Sequence, residues 1–113
     1  MQTRLVSAEL QLGGETPHEW KHAAEVAVSA GIAASDAICG HVLGYKVAAD
    51  SHRDAVDALR VATDAGTAKH LNALLEVKSA QSYGNRLPTK ADATRSVQHA
   101  RRLVDAATAA LEK

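Results

Sequence analysis

The sequence predicts an all-α protein, an antiparallel bundle of four main helices with a short helix at the N-terminus. Three observations carry that reading. Alanine dominates a chain of 113 residues in which aromatics make up 3% and Phe is absent, a composition that suits helix packing and suits β-structure poorly. Two segments carry helix-start signatures, Thr16-Pro17-His18-Glu19 and Thr89 with Asp92. Apolar residues recur at helical spacing along the chain, and no alternating strand pattern survives anywhere.

The elements follow in order. Leu5, Ala8 and Leu12 give residues 3–12 a helical spacing that Gly13-Gly14 ends, so residues 1–14 form a short helix and loop. Residues 16–113 form the core of one domain, a length sufficient for a real core. Thr16 stands at an N-cap, Pro17 at the first helical position and Glu19 where it closes a capping box. From there a helix runs to about Tyr45, because Gly31 and Gly40 weaken it without ending it. Ala23, Ala27, Ala30, Ala34, Ala37, Ile38, His41 and Tyr45 fall on one stripe. The opposite face carries Lys21, His22, Glu25 and Ser29 in its first half. In its second half that face carries Ile32, Asp36, Cys39 and Leu43, so the second half reads as buried on both sides, central in the bundle or covered by another subunit. Asp36 is then an acid among small apolar residues and requires a partner there, since an unpaired buried carboxylate is costly.

Asp50 or Ser51 caps a further helix to about Ala62, with Ala55, Val56 and Leu59 inward. Thr67 caps the next, to about Tyr83, with Leu71, Leu74, Leu75 and Lys78 on its stripe. Gly84-Asn85-Arg86-Leu87-Pro88 is a loop. The last helix follows Ala93, Val97, Ala100, Val104, Ala107 and Leu111, a spacing close to a heptad seam. Its outer face carries Arg95, Arg101, Arg102 and Asp105.

Thirteen basic and thirteen acidic residues cancel, so no global field draws the chain to nucleic acid or membrane, and any such affinity must come from a local patch. A single cysteine, Cys39, excludes an internal disulfide and fits a reducing compartment. Met1 to Leu12 has no apolar signal-peptide core. No segment is read as reaching the roughly 18 apolar residues that span a bilayer. The expectation is a cytoplasmic protein with no membrane partner.

Three constellations bear on chemistry. His18-Glu19-Trp20-Lys21-His22 matches H-E-x-x-H, in which two histidines one turn apart hold zinc and the glutamate acts as base. Against a zinc hydrolase stand the capping role of Glu19 and the residues at the positions of the extended motif, Glu25 and Val28. The plainer reading of His18 and His22 is a solvated helix start. Asp36, His41, Lys78 and Tyr83 form a second group, in which Asp36 and Lys78 neutralise each other across adjacent helices. That group reads first as a network fixing helix register and second as a binding site. Cys39 and His41 do not share a helix face, so they form no nucleophile pair, and Cys39 reads as a small buried hydrophobe. The third is basic: Arg86 and Lys90 beside the last loop, then Arg95, Arg101 and Arg102, with His99 four residues after Arg95. Such a stripe suits phosphates, although the plainer reading is a solvated face balanced by Asp92 and Asp105. There is no Gly-rich phosphate loop and no aromatic platform for stacking bases. No cofactor is expected.

The order of these elements resembles the HEPN superfamily of small helical bundles found in prokaryotic toxin, antitoxin and defence systems. Within it the likeness is to a group of compact actinobacterial HEPN-like proteins. It rests on His22-Ala23-Ala24, Ala30 to Cys39, Leu43-Gly44, Asp50 to Val56, Leu74 to Gly84, and the Thr89 to Val104 helix with its Ala100-Arg101-Arg102-Leu103-Val104 end. It spans roughly residues 17–110. The resemblance implies a HEPN-like bundle, here one that dimerises through small-residue helix surfaces. It also implies either a metal-independent ribonuclease or a non-cutting module that binds RNA, a nucleotide or a protein partner in a toxin–antitoxin or stress setting. The ribonuclease motif of the superfamily is an arginine followed after four to six residues by a histidine. No arginine here is so followed; only three residues separate Arg95 from His99. The expectation is therefore a non-catalytic module, with Asp36, His52, Lys78, Tyr83, Arg101 and Arg102 as binding candidates. A degenerate ribonuclease using Arg95 and His99, or His52 and Arg53, is the alternative.

Overall fold

A computed structural model describes residues 5, 6, 9, 16–44, 51–83 and 88–112, without the side chains of residues 81–83. Four helices account for nearly all of it: α1 Pro17–Leu43, α2 His52–Ala62, α3 Ala65–Tyr83 and α4 Lys90–Leu111. Among the described residues there is no strand. Residues 5, 6 and 9 are helical and Leu5 is buried in the core; the remainder of the N-terminal helix expected over 3–12 lies outside the described residues, as do Tyr45, Asp50 and the 84–87 loop.

The boundaries follow from local hydrogen bonds. Thr16 Oγ1 accepts from the Glu19 N–H at 3.2 Å and donates to the Glu19 carboxylate, so the first orphan donors of α1 are partly satisfied. The helix stops at Leu43 because Gly44 adopts a left-handed φ of 78° and its N–H bonds to the Gly40 carbonyl, a conformation open to glycine at little cost. Ser51 caps α2 through the Asp54 N–H. The α3 start differs from the expected Thr67 cap: the Thr67 N–H is itself the capped group, donating to Asp64 Oδ1 at 2.7 Å, and the helix begins at Ala65. These bonds to the ionised form hold the Asp64 carboxyl below its ordinary range. Thr89 and Asp92 form the complete capping box of α4.

The core is a seam of small and branched side chains. Ala23, Ala27, Ala30, Ala34 and Ile38 of α1 meet Ala93, Val97, Ala100, Val104 and Ala107 of α4, and all are buried. These two helices share the most extensive contact of the bundle. Small side chains permit that close approach; Leu59, Leu71, Leu74 and Leu103 fill the space left between the layers. Two hydroxyls are buried in the seam and each bonds back one turn, Ser35 to the Gly31 carbonyl and Ser96 to the Asp92 carbonyl. Leu103 and Ser96 belong to the core although the heptad seam did not include them, and Leu111 is exposed although it did.

The expected antiparallel order holds only in part. His41 and Val42 at the end of α1, Ala62 at the end of α2, Thr67 at the start of α3, and Ala106, Ala109 and Ala110 at the end of α4 line one groove. A Cβ on Gly31 would also touch Leu103 of α4 at 3.2 Å. The helices α1, α2 and α4 therefore run the same way, and only α3 runs against them.

The bilayer expectation also needs correction. By length and composition α1 contains an 18-residue window apolar enough to cross a membrane, with mean hydropathy 1.5, of which 44% is buried within this fold. Its apolarity is used here to pack against the other three helices.

Candidate functional site

The histidine that best marks a site was not among the sequence candidates. His70, on the flank of α3, meets His99, on the flank of α4, with 2.9 Å between their Nδ1 atoms. The ring centroids are 5.2 Å apart, which exceeds the nitrogen separation by about the two ring radii. The rings thus point nearly straight at each other, as in an N–H···N hydrogen bond, rather than converging on a third atom. One ring donates its Nδ1–H and the other accepts. Both rings are half-buried.

The pair lies in an open groove of about 590 Å3 lined by Glu9, Val97, Gln98, Arg101, Arg102 and Asp105 as well as by the two rings. Burial, then the partner ring, then Lys69 and Arg102, push the pKa of His70 down. Burial, then Lys69 and Arg95, do the same to His99. Each of these influences penalises a positive ring. The groove is consequently a place where cations are crowded and histidines are held neutral.

Its charges are unequally engaged. Arg95 bonds Asp92 one turn back. Arg101 bridges Glu9 and Asp105, tying the N-terminal segment to α4. Among the described residues no carboxylate pairs with the exposed Lys69 or Arg102. Of the two arginines expected to bind, Arg102 is thus available to a ligand and Arg101 is occupied by two acids.

The other candidates do not assemble. Asp36 is exposed on α1, which overturns its reading as a buried acid in need of a partner. It edges a cavity of about 50 Å3 with Ile32, Ser35, Cys39, Ala55, Ala58, Leu71 and Leu75, room for water but below the size of small-molecule pockets. Lys78 is exposed on α3 rather than on its inward stripe, and the structure records no ion pair between it and Asp36. The side chain of Tyr83 lies outside the described residues. His41 is exposed in the last turn of α1, at the far groove. His52 Nε2 bonds Asn72 Oδ1 at 2.8 Å, and Asn72 in turn donates to Glu76. That chain ties α2 to α3 and gives His52 a positioning role in the fold. Arg53 pairs with Asp57 on the surface of α2.

No protein-family model, curated protein or solved structure matches this chain.

The H-E-x-x-H segment is solvated: His18 and His22 are exposed and Glu19 is bound to Thr16. Among the described residues no group of three or more His, Cys, Asp or Glu is placed to hold a metal. Cys39 is buried, and burial followed by the charge of Asp36 raises its pKa; that is the opposite of what a nucleophilic thiol requires.

His70 had a faint signature in the sequence. It shares a helical face with Leu74 and Val77, as His99 does with Leu103, and each precedes a buried seam residue, Leu71 or Ala100. Nothing local reveals that these two flanks adjoin.

Proposed function

We propose that this chain is a cytoplasmic, HEPN-like helical module that binds the phosphate backbone of RNA without cutting it. The observation that supports this reading is the groove between α3 and α4, lined by Arg102 and the two histidines, with Lys69 close enough to act on both rings, and with no carboxylate partner for Lys69 or Arg102 among the described residues. An anion placed there gains from both cations and offsets their share, after burial, of the opposition to a positive ring. Homodimerisation belongs to the same proposal and is read by sedimentation velocity.

The ribonuclease alternative fits the geometry less well. Cutting an RNA phosphodiester by acid–base catalysis requires a base on one side of the phosphate and an acid on the other. Two rings in direct contact at 2.9 Å leave no space for a phosphate between them.

The test is binding of a fluorescent single-stranded RNA to the wild-type protein, Lys69→Ala, Arg102→Ala and the control Arg53→Ala, each across a salt series. Loss of one phosphate contact should lower the salt slope by about 0.7 for single strands, so Lys69→Ala and Arg102→Ala should bind several-fold more weakly with shallower slopes. Arg53→Ala should match the wild type. Equal affinities for all four proteins would overturn the reading.

A further inference from the structure

We infer that His70 and His99 act as a single-proton site that couples phosphate binding in this groove to pH. The inference rests on the RNA-binding reading above and adds its regulation.

The limit to one proton follows from the contact itself. In the neutral pair one ring carries hydrogen on Nδ1 and donates it, while the other presents a bare Nδ1 and carries its hydrogen on Nε2. A first extra proton enters at the bare Nε2 of the donor ring. The resulting imidazolium still donates through Nδ1, now as a charge-assisted bond, so the 2.9 Å contact survives. A second proton has only the acceptor Nδ1 to occupy. Two N–H groups would then face each other, and the contact must break.

The surroundings set when the first proton arrives. From α3 the pair faces Lys69; from α4 it faces Arg95, Arg101, Arg102 and Asp105; from the N-terminal segment it faces Glu9. Burial is the larger opposition to a positive ring. Glu9 and Asp105 are committed to Arg101, and Arg95 to Asp92, which leaves Lys69 and Arg102 as the cations that an anion could reach. A phosphate resting on those two cations cancels their effect on the rings. Binding should then draw one proton from solvent, and the proton adds a positive charge and an N–H donor to the groove. Affinity rises as pH falls, by at most about tenfold per pH unit because one proton is linked.

Two measurements test this. The first follows the imidazole nitrogens of the free protein by NMR from pH 8 to pH 5. The rings should share one joint titration, with the second proton entering only as the contact is lost, and His99→Gln should return His70 to a simple one-site curve. Two independent, complete titrations in the wild type would overturn the one-proton pair. The second is calorimetry of a single-stranded RNA oligonucleotide near pH 6.5 in buffers of different ionisation enthalpy. Uptake should lie between zero and one proton per bound site and vanish only in the double variant His70→Gln with His99→Gln. Binding with no uptake, or uptake above one, overturns the coupling and leaves RNA binding standing. No binding at any pH overturns the RNA reading together with the coupling, while the NMR result still decides whether the pair holds a single proton.

Discussion

A methyl group on Gly31 would lie 2.3 Å from Leu74 Cδ1, so the backbone of α1 is seated directly against the fully buried side chain of Leu74. This contact fixes how closely α1 can approach α3, and Leu103 of α4 closes the same position at 3.2 Å. Gly40, nine residues on, has nothing within 4 Å of the equivalent point. The two glycines of one helix therefore answer to different constraints.

Alanine at these two positions should act with opposite sign. Gly31→Ala gains about 1 kcal/mol of helix propensity but overpacks the core at a cost of about 1–3 kcal/mol, a net loss. Gly40→Ala should stabilise by roughly 0.5–1 kcal/mol. Urea denaturation of both checks this. Leu74→Ala should itself cost about 2–5 kcal/mol, and in that background Gly31→Ala should destabilise less, because the closest clashing atom is gone and only the milder approach of Leu103 at 3.2 Å remains.

The exposure of Asp36 implies a mild variant. Asp36→Asn should change stability by no more than about 0.5 kcal/mol, whereas a buried register acid would give a loss several times larger on thermal denaturation. Its effect should appear at Cys39, three residues on, where removing the charge lowers the thiol pKa. Native Cys39 should resist a thiol reagent at pH 7 and react once the protein is unfolded.

Acid should destabilise the fold through the histidine pair. Both rings have folded pKa values below the ordinary 6.5, so the unfolded chain takes up protons first as pH falls. Stability is thus full above about pH 6.5, an ordinary unfolded histidine value, and declines as pH drops through the window between unfolded and folded values. Melting temperature followed from pH 7.5 to 5 should show this fall, and His70→Gln and His99→Gln should flatten it.

The capping box at α4 offers an independent check on how the helix ends contribute. Thr89→Ala removes the acceptor for the Asp92 N–H and should cost about 1 kcal/mol. Thr89→Ser should restore most of it, since the hydroxyl is what accepts.

The legibility of this chain divides along a physical line. Signals that act within a turn or two were readable in the sequence: Thr16 and Thr89 as caps, Pro17 opening α1, and the alternation of Ala93, Val97, Ala100, Val104 and Ala107 that became the buried seam. Those signals established an all-helical chain and most of its boundaries, because capping and helical periodicity depend only on neighbours in sequence. Three matters were decided by tertiary structure alone. The common direction of α1, α2 and α4 depends on which helix ends pack around one groove. The exposure of Asp36 depends on which side of α1 its neighbours leave uncovered. The meeting of His70 with His99 joins residues 29 positions apart, and only the packing of α3 on α4 brings those flanks together.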